Sequence, residues 1–263
     1  MNRQNVSDFW DRTEPKLRGL TTALRTLTAL PVQGQEADAP SAALPWFPAV
    51  GFVLATLIYT IIIIVRWVGG EAWAGAPAIA ALVAQAALTG GLHLDGLADW
   101  ADGFWGGRDR DHTLAIMKDS RIGAFGAMAL ILVLLGKWAC IARLVEHDAI
   151  TWLFAAMMIA RAAQVYLAVA LPYGRPEGGK AATFVEGADE RSMWIALGSA
   201  LVASLVLGLG WGVVAAFLIA LAAAKGFSVW CRRRVGGITG DLLGAANELI
   251  ELLVLLLGAA WSG

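Results

Sequence analysis

The chain has 263 residues, of which 58% are hydrophobic and 16% charged, with 30 glycines, 12 tryptophans and a net charge of −1. Its charges sit in short clusters between long uncharged runs, which excludes an ordinary soluble domain and predicts an all-α, polytopic membrane bundle forming a single domain over residues 1–263. The near-neutral balance leaves no footprint for nucleic acid, and Cys140 and Cys231, far apart and outside any CxxC pattern, read as free thiols.

Residues 1–44 form a polar and interfacial segment without the short apolar core and small-residue cleavage site of a signal peptide. Within it Leu17, Leu20, Leu24 and Leu27 recur at helical spacing beside Lys16, Arg18 and Arg25, which predicts an amphipathic helix lying in the interface. A proline-punctuated loop from Pro31 to Pro45 leads into the transmembrane bundle, 45–263. One uncharged run ends at Arg66, a second covers Ala72 to Leu92, a third Ile122 to Ala142 with Lys137 near its end, and a fourth Ala149 to Leu171. Between Arg191 and Lys225 nothing is charged; one helix of that length would reach about 50 Å, so Gly208, Gly210 and Gly212 around Trp211 predict a turn between two spans. With a last span from Leu242 to Trp261, about seven are expected. The lysines and arginines orient them: with the N-terminus in the cytoplasm, fifteen fall on that side, and Arg66, Lys137 and Arg143 on the other.

The polar motifs then gather at the cytoplasmic side. In GGLHLDGLADWADG, residues 90–103, Asp95, Asp99 and Asp102 share one helical face at the end of the second span. Carboxylates near hydrocarbon repel one another and need cations, and oxygen-only ligation points to Mg²⁺ or Mn²⁺. Gly96 and Gly103 beside them would let a bulky ligand approach. His93 fits either an interfacial packing role or a substrate contact. MKDSRIGAFG, residues 117–126, adds Lys118, Asp119 and Arg121, suited to phosphate and metal. A basic, glycine-rich loop, residues 172–187, carries Arg175, Glu177 and Lys180 and could close over an anion. In GGITGDLLGAANELIE, residues 236–251, Asp241 and Glu248 share a face expected to point into the bundle, completing the metal site or orienting a substrate. Glu251 lies deeper and off that face, and Arg161, mid-span, is expected to pair with one of these three acids.

HLDGLADWADG, MKDSRIGAFG, the loop with Arg175 and Glu177, GGITGDLLGAANE and the N-terminal ALRTLTALPV together resemble the cobalamin synthases, the adenosylcobinamide-GDP ribazoletransferases, nearly end to end. The resemblance implies a Mg²⁺-dependent inner-membrane enzyme, facing the cytoplasm, that joins adenosylcobinamide-GDP to α-ribazole or its 5′-phosphate and releases GMP. It implies Asp95, Asp99, Asp102 and Asp119 as catalytic metal ligands, and His93, Lys118, Arg121, Arg175, Lys180, Asp241 and Glu248 as substrate contacts. Monomer and homo-oligomer both stay open. Two alternatives remain at this point. Asp95 to Ala98 also resembles the start of the CDP-alcohol phosphotransferase signature, although Asp99 replaces its arginine, and intramembrane acids also mark ion-coupled transporters.

Overall fold

A computed structural model describes residues 17–69 and 73–262. Residues 17–27 form α1; a 3₁₀ turn, Pro40–Trp46, runs directly into α2, Phe47–Gly69. There follow α3 (Gly75–Thr89), α4 (Leu92–Gly106), α5 (Arg110–Ile116), α6 (Ala124–Glu146), α7 (Trp152–Ala170), α8 (Ala182–Glu186), α9 (Glu190–Val206), α10 (Gly210–Arg234) and α11 (Gly240–Trp261). The only extended pairing among the described residues is a single bridge between Tyr173 and Ile238. The amphipathic helix expected near Leu17 is α1, which packs Gly19 against Ala42 and Trp46 of the 3₁₀ turn. Arg3, Arg12 and Lys16 lie outside the described residues.

The bundle is built around α7, in which every residue from Trp152 to Val165 is buried. Its alanines, with Gly51 of α2 set against the Met157 carbonyl and Gly258 of α11 against Trp152, allow close backbone approach, as small residues do between membrane helices. The outer helices turn Ile63 and Ile64, Ile131 and Leu132, Val202, and Leu218 outward. Four exposed tryptophans, Trp67, Trp73, Trp211 and Trp261, mark one end, here the distal end; Trp105 and Trp194 mark the other, the proximal end. Two aromatic levels flanking an apolar surface are the signature of a multi-pass membrane protein.

Five helical segments are long and apolar enough to cross: Pro40–Gly69, Ala124–Glu146, Trp152–Ala170, Gly210–Arg234 and Gly240–Trp261; α3 with α4 makes a sixth if the bent pair counts as one. By length and apolarity alone the count is five or six against about seven expected, because α3 and α9 have only 15 and 17 residues. The hairpin after Arg191 is present, turning at Gly208 (φ +81°), but α9 has only 17 residues. The second run is cut at 15 residues, because Gly90 and Gly91 adopt φ of +60° and +71° and α4 leaves at 92° to α3. The aspartate helix therefore does not continue the axis of α3. It turns across the proximal end, with Trp100 and Phe104 packed on Trp230 near the end of α10.

Candidate functional site

Three close approaches fix α4 in place. Gly96 faces the α11 backbone so tightly that a Cβ would lie 2.6 Å from the Asp241 carbonyl oxygen, and Gly244 of α11 meets His93 and Gly96 in return. Gly103 accommodates Met117. The two glycines expected to admit a ligand thus admit protein instead, and the first of them sets Asp95 and Asp99 beside Asp241.

The three aspartates of α4 then meet three environments. Asp95 is exposed and lines a cavity; Asp99 is half-buried; Asp102 is buried. Both oxygens of Asp102 are engaged, accepting the Gly123 and Gly126 N–H groups at 2.7 and 2.9 Å, so it caps the start of α6 and satisfies amides that the helix leaves free. Asp99 shows what the crowding does: burial first, then the Asp241 and Asp95 carboxylates, push its carboxyl from 3.8 up to about 7, against the opposing pull of Arg175.

The cavity, about 550 Å³, opens at the proximal end between α1, α4, the C-terminal end of α7, the 172–181 loop, α8 and the first turn of α11. Among the expected residues, His93, Asp95, Arg175, Lys180 and Asp241 line it. Arg175 donates to Asp241 at 2.7 Å while its buried Nε has no partner. Parallel backbone bonds hold the loop that carries it: Gly174 N–H to the Ile238 carbonyl, and Ile238 N–H to the Pro172 carbonyl. Arg110 adds bonds to the Val235 and Gly174 carbonyls.

Other expected residues fall elsewhere. Lys118 pairs with Glu177 at 3.6 Å, both exposed. Asp119 is held by Arg121, which pulls its carboxyl down to about 2. All three lie on the α5–α6 connection, outside the cavity lining, joined to its loop through the Lys118–Glu177 pair and the bond from Arg175 to the Met117 carbonyl. Glu248, expected beside the substrate, is in the bundle core, where Lys137 bridges it at 2.7 Å and Glu251 at 2.8 Å. Arg161 approaches Glu251 at 3.7 Å, the pairing expected for it, and Gln85 donates to Glu251 at 2.6 Å. Lys137, read as a distal anchor, is 1% exposed and belongs to this cluster. Two lining residues gave no sequence signal: Gln164, a single amide inside an apolar run, and Phe184.

Among the described residues, no three histidine, cysteine or acidic side chains converge to enclose a metal by themselves. The donor set nonetheless suits one shared with a ligand: Asp95, Asp99 and Asp241 crowd one another with Arg175 as their close cation, and Mg²⁺ commonly takes one or two carboxylates and completes its shell with water and substrate phosphate.

A family model described as Cobalamin-5-phosphate synthase matches residues 19–259. Adenosylcobinamide-GDP ribazoletransferases of Chlorobaculum parvum and Chlorobaculum tepidum are each 45% identical over 248 residues, covering 93% of this chain and 96% of theirs. That of Syntrophobacter fumaroxidans is 37% identical over 240 residues, covering 90% and 95%. No solved structure matches.

Proposed function

The chain belongs to the cobalamin-5-phosphate synthase family and is an adenosylcobinamide-GDP ribazoletransferase acting at the end of cobalamin synthesis, and from that premise we propose how its proximal cavity serves the transfer. The substrates are adenosylcobinamide-GDP and α-ribazole or its 5′-phosphate. A ring hydroxyl of the ribose, free in both α-ribazole and its 5′-phosphate, attacks the phosphorus on the corrinoid side of the diphosphate, and GMP leaves with the bridging oxygen. The observation that carries this reading is the crowding of Asp95, Asp99 and Asp241 around Arg175 at the cavity mouth.

One or two of Asp95, Asp99 and Asp241 would hold Mg²⁺ together with the substrate, and the metal, when bound, would neutralise the diphosphate and stabilise the departing phosphate. Arg175 and Lys180 orient the diphosphate, Arg175 through its free Nε edge. Asp95 or Asp99 accepts the proton of the attacking hydroxyl. Lys118, Asp119 and Arg121, on the exposed connection beside the mouth, meet the nucleotide end of the donor. Asp102 supports the site by fixing α6 against α4. The basic asymmetry of the chain supports a proximal end facing the cytoplasm across the inner membrane.

The test is purified protein with adenosylcobinamide-GDP, α-ribazole and Mg²⁺, following GMP by chromatography. GMP should appear together with adenosylcobalamin and vanish with EDTA. Equal GMP release without divalent metal would remove Mg²⁺ from the proposal, and no release at all would remove the transfer.

A further inference from the structure

The cavity has an inner half chemically unlike its mouth. His93 and Gln164 line it, each 3% exposed. The Gln164 amide nitrogen donates to the Leu243 carbonyl at 3.1 Å and lies 3.2 Å from His93 Nε2. A carbonyl oxygen only accepts, so the amide nitrogen faces Leu243 and its second hydrogen goes to His93 Nε2, which puts the imidazole proton on Nδ1. Two buried atoms are then left without a protein partner: His93 Nδ1, a donor, and Gln164 Oε1, an acceptor. Unpaired buried polar groups are costly, and a hydroxyl can satisfy either kind, donating to an amide oxygen or accepting from a ring N–H. The adjoining wall is apolar and partly aromatic, with Leu44 and the rings of Phe47 and Phe184, 6.3 Å apart and tilted.

Resting on the transferase reading above, we propose that this inner half is the acceptor subsite, in which Gln164 and His93 read one ring hydroxyl of the riboside and the Phe47–Phe184 wall takes its flat, apolar base. The rival occupant, the guanosine of the donor, presents a base edge crowded with donors and acceptors. The apolar wall offers it no complement, and the cavity carboxylates sit at the mouth, Asp95 exposed and Asp241 bonded to Arg175. A volume of about 550 Å³ suits a nucleoside-sized ligand. A riboside seated base-inward, with one ring hydroxyl on the inner pair, would leave the neighbouring ring hydroxyl toward the acids at the mouth.

Steady-state transfer and equilibrium dialysis of α-ribazole on the full-length detergent-solubilised protein test this. Gln164→Met should raise the KM for α-ribazole about tenfold, leave the KM for adenosylcobinamide-GDP unchanged, and leave binding of the bare dimethylbenzimidazole base unchanged. Phe184→Ala should weaken riboside and bare base alike, and GMP should not displace α-ribazole from the wild type. An unchanged α-ribazole KM in Gln164→Met, or displacement by GMP, overturns the assignment. Should Gln164→Met fail to fold, an unchanged α-ribazole KM in Phe184→Ala overturns it equally. Wild-type protein that releases no GMP would instead overturn the functional reading on which the subsite rests.

Discussion

α11 carries its acids into two opposite settings. At its first turn Asp241 opens on the cavity, where Asp95 and Asp99 add negative charge and Arg175 is the close counterweight. Two turns deeper, Glu248 and Glu251 are closed off from solvent, two carboxylates facing two fixed cations, Lys137 and Arg161. The first cluster is undercompensated and open, which suits a cation and an anionic substrate. The second is balanced and sealed, which ties α3, α6, α7 and α11 together and leaves nothing for a ligand to neutralise. Acids entering a membrane helix thus divide by what faces them, not by helical face alone.

The largest effect should come from breaking the sealed cluster. Lys137→Met leaves Glu248 and Glu251 with only Arg161 nearby and should cost about 3 to 5 kcal/mol, because a buried charge without its partner is far worse than no pair. Thermal unfolding in detergent checks this, and adding Glu248→Gln to the same chain should recover a large share of the loss.

Next comes the open cluster. Asp95→Asn and Asp99→Asn should each reduce turnover by about 10²-fold without lowering the unfolding temperature, measured as Mg²⁺-titrated GMP release beside thermal unfolding.

Much of this division was legible in the sequence. The spans, the acidic helix, the basic loop and the pairing of Arg161 with an acid of α11 follow from runs of apolar residues and from the cost of charge in lipid. The role of Lys137 does not: a lysine near the end of an apolar run reads as an interfacial anchor, and its partners lie 111 and 114 residues away. Asp102 was hidden for a related reason, because its partners are backbone amides 21 and 24 residues on, which carry no sequence signal. The glycine pair at 90–91 was visible, but a turn of 92° there depends on both glycines taking positive φ. Gln164 could be found only once the folded chain set it beside His93 of α4 and the Leu243 carbonyl of α11.

A smaller effect should separate Asp102 from its two neighbours on α4. Asp102→Asn replaces one accepting oxygen with a donor facing an N–H and should cost about 1 to 2 kcal/mol of stability. Its Mg²⁺ titration should stay that of the wild type. Gly126→Ala, whose Cβ would lie 2.5 Å from an Asp102 oxygen, should destabilise in the same way.

The smallest effect concerns pH. Asp99 titrates at about 7 in the folded chain against an ordinary 3.8, so the folded state binds the extra proton between those values. The contribution of Asp99 to stability should therefore be greatest below about pH 4, decline as pH rises toward 7 and level off above it, a slope softened because Asp99 is only half-buried. Mg²⁺ should flatten the decline, and Asp99→Asn should abolish it; a metal-independent slope in a thermal-unfolding series would argue against a cation among these acids.

The division of α11 is tested most directly by Asp241→Asn and Glu248→Gln, each measured for thermal unfolding and for Mg²⁺-titrated GMP release. Asp241→Asn should unfold with the wild type but lose turnover and shift its Mg²⁺ requirement upward. Glu248→Gln should unfold at a lower temperature while its folded fraction keeps the wild-type Mg²⁺ titration. The reverse pattern, with Asp241→Asn unstable but normal in metal response and Glu248→Gln stable but altered in it, would contradict the assignment of the open cluster to the reaction and the sealed one to the fold.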